Sequence, residues 1–460
     1  MEIDAFRHHS TVLASTPTVT TQAVSNISST TAIGNGNITD LGTSNPTQHG
    51  VVWSTSTNPT VSLTTKTEQG AASVTGAFTS NITGLTAGTT YYVRAYATNS
   101  AGTSYGNEVS FTTKQTQSIT FNALSDQTYG DADYSPGATA SSGLTVSYSS
   151  SNTSVATIVS GKIHIVGAGS CTIYADQAGD GTYDAASQVS QSLTVNTATL
   201  SVTAEDKSKE YDGTAYSPFT VTYNGFVNEE DETDLSGTLT FSGTATTATD
   251  VNTAYVITPT GLTSVNYTIT FESGNLDITA KELTVTNAVP ANKVYDGNTD
   301  ATISGSTLSG VVSGDDVTLG DAATGTFAQA TIGTGISVGT AMTISGTDAA
   351  NYTLTQPTLT ADITAKELTV TNAVAADKVY DGNTDATISG GTLSGVVSGD
   401  DVTLGDAATG TFAQAAIGSG ISVGTAMTIG GTDANNYTLT QPSLTADITA
   451  KELTVTNAVA

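Results

Sequence analysis

KELTVTNAV occupies Lys281–Val289, returns at Lys366–Val374 and again at Lys451–Val459, 85 residues on each time. Between these marks the stretches 281–365 and 366–450 differ at eight positions, among them Pro290/Ala375, Asn292/Asp377, Ser306/Gly391 and Ser345/Gly430. In Leu283-Thr284-Val285-Thr286 apolar and hydroxyl side chains alternate, which predicts a strand with Leu283 and Val285 inward and the threonines in water. Met342-Thr343-Ile344 and Tyr352-Thr353-Leu354-Thr355 follow the same rule. Short strands broken by Gly, Asp and Asn predict an all-β, antiparallel sandwich. An 85-residue unit is long enough to bury a core of its own, so the repeats read as beads on a string rather than a solenoid. Only Ala365-Lys366-Glu367 separate the closing ADIT from the next LTVT, a joint short enough to restrict bending.

The whole chain reads as more of the same. Its 460 residues suggest three to five domains. Thr, Val, Ser, Gly and Asn outnumber the long helix formers, and β-branched residues suit a pleated surface. Twelve Lys and Arg against 41 Asp and Glu give a net charge of −29. That balance excludes a nucleic-acid partner, whose phosphates need cations, and a polybasic grip on anionic lipid. It fits an extracellular surface that repels its neighbours or gathers divalent cations. The single cysteine, Cys171, leaves no intrachain disulfide and reads as a buried thiol on a strand. No run of 18 apolar residues marks a membrane-spanning helix. Residues 1–15 lack the apolar core of a signal peptide and read as an unstructured leader, so the export signal and anchor are expected elsewhere in a longer polypeptide.

Residues 16–115 form the first unit. Leu85-Thr86-Ala87-Gly88-Thr89-Thr90-Tyr91, followed by YYVRAYATNSAGTSYG, resembles the tyrosine corner and final hairpin of a fibronectin type III domain. Trp53 is expected in its core. Residues 116–197, with GLTVSYSSSNTSVATIV and GKIHIVGAGSCTIYADQAG, resemble bacterial immunoglobulin-like domains; His164 alternates with Ile163 and Ile165 and should face solvent. Residues 198–280 carry KEYDG at Lys209–Gly213 and a closing NYTIT. The repeats 281–365 and 366–450 carry KVYDG at Lys293–Gly297 and Lys378–Gly382, and NYTLTQ at Asn351–Gln356 and Asn436–Gln441. These bookends resemble the YDG, or MBG, domains of giant bacterial adhesins, with 198–280 as a diverged copy and 451–460 as the first strand of a further one. The resemblance implies a β-sandwich-like stalk module outside the cell; it does not imply a known ligand or any enzyme activity.

Two groups are candidate sites. Asp296-Gly297-Asn298-Thr299-Asp300 and Asp381-Gly382-Asn383-Thr384-Asp385 place oxygens at alternate positions, as a calcium loop does, and Asp315-Asp316 and Asp400-Asp401 could complete the shell. The candidate Ca2+ ligands are therefore Asp296, Asn298, Asp300, Asp315, Asp316, Asp381, Asn383, Asp385, Asp400 and Asp401. The EF-hand pattern fails at Ala301 and Thr307, and Asp-Gly is also an ordinary turn pair. For a glycan, Tyr92, Tyr96 and Tyr105 on one hairpin are the candidate aromatic platform. A Lys–Asn or Lys–Asp isopeptide cross-link could draw on Lys281, Lys293 and Asn351 with Glu282 as the acid, though lysine at a strand edge is ordinary. GISVG at Gly335–Gly339 and Gly420–Gly424 matches GxSxG, but the repeats hold no histidine to activate Ser337 or Ser422. No catalytic residue is assigned.

The function expected from the sequence is a non-catalytic stalk of a large bacterial surface or secreted adhesin that projects a distal binding domain. Its partners would be other domains of the same chain and, beyond them, a glycan or a host or neighbouring-cell surface. It would be a monomeric rod, on the order of 150–200 Å long from compact-domain scaling. The alternatives are a carbohydrate- or protein-binding module within residues 16–197, or the accessory stalk of a secreted polysaccharide-degrading enzyme.

Overall fold

The computed structural model describes residues 12–456, so the leader read over 1–15 falls mostly outside it. The described residues are all-β, with four short 3-10 turns, the longest Thr244–Thr247. The chain is a tandem array of β-sandwich modules. It divides into two compact units: one runs to Thr203 and takes in Thr222–Thr240 and Thr260–Glu272, the other is Ala204–Val221, Phe241–Pro259 and the chain from Ser273 on.

In the first unit, strands Thr18–Ser25, Ala32–Asp40 and Gly76–Ile82 face a second sheet of Gln48–Ser54, Thr90–Asn99, Gly102–Tyr105 and Val109–Thr112. Trp53, Leu85, Tyr91 and Phe111 fill the space between them. The Thr86 N–H donates to Tyr91 Oη at 3.0 Å, the contact that defines a tyrosine corner. Further on, Gly169–Asp176 pairs with Ser147–Ser150 and Val189–Asn196. There Cys171 is 6% exposed, and burial raises its thiol pKa. His164 faces out and meets Asp133 at 2.7 Å.

In the second unit each 85-residue repeat builds a three-stranded, a six-stranded and a two-stranded sheet. For 281–365 the first is Thr307–Ser309, Lys281–Thr286 and Tyr352–Thr355, with Lys281–Thr286 antiparallel to the former and parallel to the latter. In the second, Lys293–Val294 lies parallel to the closing strand Leu359–Thr364. Leu283 is fully buried, Val285 is half-buried, and Thr284 and Thr286 are exposed, as the alternation requires.

Leu283 enters a core shared with the residues before it, Tyr211, Ile257, Leu276 and Ile278, and with Tyr352 of its own repeat. Likewise Leu368 and Tyr437, from the copy 366–450, lie in one cluster with Tyr295, Phe327, Val338 and Ile363. The beads therefore interlock, and this differs from the self-sufficient cores expected from length alone. A single residue, Ala365, parts strand Leu359–Thr364 from Lys366–Thr371. A joint that short delivers the next strand directly onto the face just completed.

Candidate functional site

The Tyr-Asp-Gly turn is where the polar chemistry of the repeats gathers. Its first component is a lysine held by its own loop. Lys293 Nζ donates to Asn298 Oδ1 at 2.8 Å, to the Asn298 carbonyl at 2.9 Å and to the Asp300 carbonyl at 3.1 Å, and it pairs with Asp296 at 2.8 Å. Phe327 lies beneath it, 5.7 Å from ammonium to ring centre. Lys378 repeats this with Asp381 and Asn383 at 2.9 and 2.7 Å, over Phe412. Lys209 does the same with Asp212 and the Thr214 carbonyl. Hydrogen bonds from Lys209 and Thr214 hold the Asp212 carboxyl down at about 2. The alternate oxygens read as a calcium loop thus close on an ammonium group.

The second component joins neighbours. Tyr295 Oη donates to Asp400 at 2.9 Å, and Tyr437 Oη donates to the same carboxylate oxygen at 2.6 Å. The two rings meet edge to face, 5.3 Å between centres at 78°. The Val397 N–H donates to Tyr437 Oη at 2.9 Å, so that hydroxyl is satisfied on both sides. The Asn436 side chain accepts the Ile332 N–H at 3.2 Å and is 5% exposed. One repeat back, Tyr211 and Tyr352 share Asp315 at 2.8 and 2.6 Å, and Asn351 accepts the Val251 N–H at 2.8 Å. Burial, then the bond to Asp400, pushes the Tyr295 hydroxyl up to about 12; Tyr352 is raised to about 12 by burial and Asp315.

The glycine of the turn completes the fit. Gly297 has φ +80°, and a Cβ there would stand 3.0 Å from Val397 of the next repeat; at Gly213 (φ +75°) it would stand 3.3 Å from Val312. Gly382, φ +86°, has nothing within 4 Å, and the adjacent Tyr380 is 43% exposed.

These contacts redistribute the predicted ligands. Asp296, Asn298, Asp381 and Asn383 surround lysines, while Asp300 and Asp385 lend backbone groups to those loops and keep exposed carboxyls. Asp315 and Asp400 serve the tyrosines. Asp316 and Asp401 accept the Thr347 and Thr432 N–H groups at 3.3 and 3.1 Å. Among the described residues no three or more His, Cys, Asp or Glu side chains converge on a metal-sized site. The expected pooling of Asp296–Asp300 with Asp315-Asp316 is corrected, because Asp315 turns to Tyr211 in the preceding repeat.

The aromatic platform is corrected too. Tyr96 is 2% exposed and donates to the Thr67 carbonyl at 2.7 Å, so no sugar can stack on it. Tyr105 is half-buried, accepts the Val61 N–H at 3.0 Å and has Arg94 over its ring; Tyr92 is half-buried. The cross-link residues do not meet: Lys281 bonds Glu210, Lys293 its own loop, Asn351 Val251, and Glu282 Thr355. Ser337 and Ser422 sit within strands Gly333–Gly339 and Gly418–Thr425, with no helix following as a nucleophile elbow requires. Of residues 451–460, read as a first strand, Lys451–Thr456 forms none and is exposed, and 457–460 lie outside the described residues.

One junction escaped the sequence reading. Tyr129 donates to Glu230 at 2.6 Å, Tyr267 bonds the same carboxylate, and the rings cross at 89°. Asn266 accepts the Ala168 N–H at 3.0 Å, and a Cβ on Gly130 would strike Val227 at 2.7 Å. The signal was Tyr129-Gly130, 82 residues before Tyr211. A search for Tyr-Asp-Gly alone passes over it.

Comparison with known families matches residues 279–360 and 364–446 to the YDG domain and 200–277 to the MBG domain (YGX type), so both repeat types are present. No curated protein matches the chain. Among solved structures, surface layer protein SbsC, domains 4–9, is 14% identical over 85% of this chain and 72% of its own, TM-score 0.20. Drosophila N-cadherin EC1–4 is 9% identical over 72% and 99%, TM-score 0.18. The RsgI4 anti-sigma factor sensor domain of Pseudobacteroides cellulosolvens is 17% identical over 22% and 97%, TM-score 0.18. These likenesses carry no functional weight.

Proposed function

We propose that this chain is a stalk segment of a large bacterial cell-surface or secreted adhesin, one that holds a distal binding domain away from the cell. The observation that supports it is the tyrosine–carboxylate clasp, which closes one module on the next at three successive junctions, with Glu230 at the first and Asp315 and Asp400 at the other two. A stalk needs joints that resist bending more than it needs a pocket, and here the most intricate side-chain chemistry is spent on the joints. The chain is a non-catalytic module. Its immediate partners are the neighbouring modules of the same polypeptide; a glycan or another cell's surface is met by the distal domain. Near-identical copies let recombination change its reach without altering any one fold.

Small-angle scattering tests this directly. Duplicating residues 366–450 in the chain should lengthen the maximum dimension by roughly 30–40 Å, the size of one compact domain. An unchanged maximum dimension, with modules folded back on one another, would sink the reading.

A further inference from the structure

The parallel pairings of the repeats share one feature: they bind the opening strands of a module to its closing strands. In 281–365, Lys281–Thr284 runs in register with Tyr352–Thr355, and Lys293-Val294 with Ile363-Thr364. The copy 366–450 repeats both, with Lys366–Thr369 against Tyr437–Thr440 and Lys378-Val379 against Ile448-Thr449. Lys207–Glu210 lies in the same way along Leu276–Thr279. In the first unit, Ala198–Thr203 runs parallel to Tyr267–Glu272.

Parallel pairing decides how tension meets these ladders. Pulling on a module's ends draws the opening strand by its N-terminus and the closing strand by its C-terminus. In a parallel pair those are opposite ends, so the strands must slide past one another, and every hydrogen bond between them carries load together. Were the opening strand antiparallel to the closing one, the same pull would peel the pair one bond at a time.

The load path has no slack. Thr364 ends one closing strand and Lys366 begins the next opening strand, with Ala365 alone between them. The short Lys293–Val294 ladder is extended by the Tyr295 N–H, which donates to the Thr364 carbonyl at 2.8 Å. Lys293 is tied to its loop beside it, and Tyr295 continues into the clasp on Asp400.

We infer that each repeat is a force-bearing clamp: the parallel opening and closing strands load in shear, and the tyrosine clasp braces the end of the ladder. The inference rests on the stalk reading only for its purpose, since shear loading follows from strand direction whatever the stalk carries.

Single-molecule force measurement on the full chain tests it, with handles at the two termini for one geometry. For the other, handles go on Glu282→Cys and Thr353→Cys in a Cys171→Ser background. Glu282 and Thr353 are exposed register partners at one end of the parallel ladder, so pulling there peels it. The clamp predicts a rupture force for the 281–365 module several-fold higher end to end than in the peeling geometry. Equal forces in the two geometries overturn it. Such a result would leave the stalk reading standing, because that reading falls on the scattering dimension and not on the rupture force.

Discussion

Tyr295 and Asp400, 105 residues apart and in different repeats, share a 2.9 Å hydrogen bond, and the same carboxylate oxygen takes a second hydroxyl from Tyr437. A carboxylate that satisfies two buried tyrosines joins its own repeat to the one before it. Tyr295→Phe should destabilise the chain by about 1.5–3 kcal/mol, the range for a hydrogen bond to a charged group, read as a lowered denaturant midpoint. The equivalent Tyr380→Phe, at a 43% exposed ring, should change the unfolding free energy by less than about 0.5 kcal/mol, as surface changes do.

The turn glycines give a matched pair. Gly297→Ala and Gly382→Ala both force a left-handed residue, at about 1–2 kcal/mol each. Only Gly297→Ala also drives a methyl to 3.0 Å from Val397. It should therefore cost more than Gly382→Ala in the same urea titration; equal costs would mean that Val397 yields freely.

Calcium should do little. Lysine ammonium groups fill the Asp296–Asp300 and Asp381–Asp385 loops, so excess calcium and EDTA should give the same unfolding temperature within error. A site held at one hundred times its dissociation constant would add about 2.7 kcal/mol and be plain in calorimetry.

The pH profile should have two edges. Tyr295 and Tyr352 are raised to about 12 by burial and by Asp400 and Asp315, against about 10 for a tyrosine in the unfolded chain. Between those values the folded state holds more protons, so the clasp contributes fully below about pH 10 and is lost as pH rises toward 12. Asp212, held down to about 2 first by Lys209, works the other way: its contribution stands above about pH 4 and is lost as pH falls toward 2. Equilibrium unfolding followed across pH reads both edges.

KELTVT shows how far the sequence could be read. The alternation placed Leu283 inward and Thr284 outward, and both are so. Yet the same six letters form strands at Lys281–Thr286 and Lys366–Thr371 and none at Lys451–Thr456. In the first copy the strand is made by pairing with Thr307–Ser309 and Tyr352–Thr355, whereas Lys451–Thr456 pairs with no described strand. Strand here is a property of pairing, and local propensity alone does not decide it. The clasp was hidden for a related reason. In near-identical repeats, periodicity alone allows Tyr295 to meet Asp315 in its own repeat or Asp400 in the next. Strand connection settles that choice, and nothing in the spacing of the letters does. The lysine within the acidic loop was legible as a residue but not as the loop's cation, because a turn's oxygens attract any cation that can reach them.

Hydrogen exchange on the intact chain carrying Asp400→Ala tests the coupling of successive repeats most directly. The account predicts faster exchange in the preceding repeat, at Lys293–Tyr295 and Ile363–Thr364, as well as around Val397. Faster exchange confined to the loop around Val397–Asp401, with the preceding repeat fully protected, would contradict it.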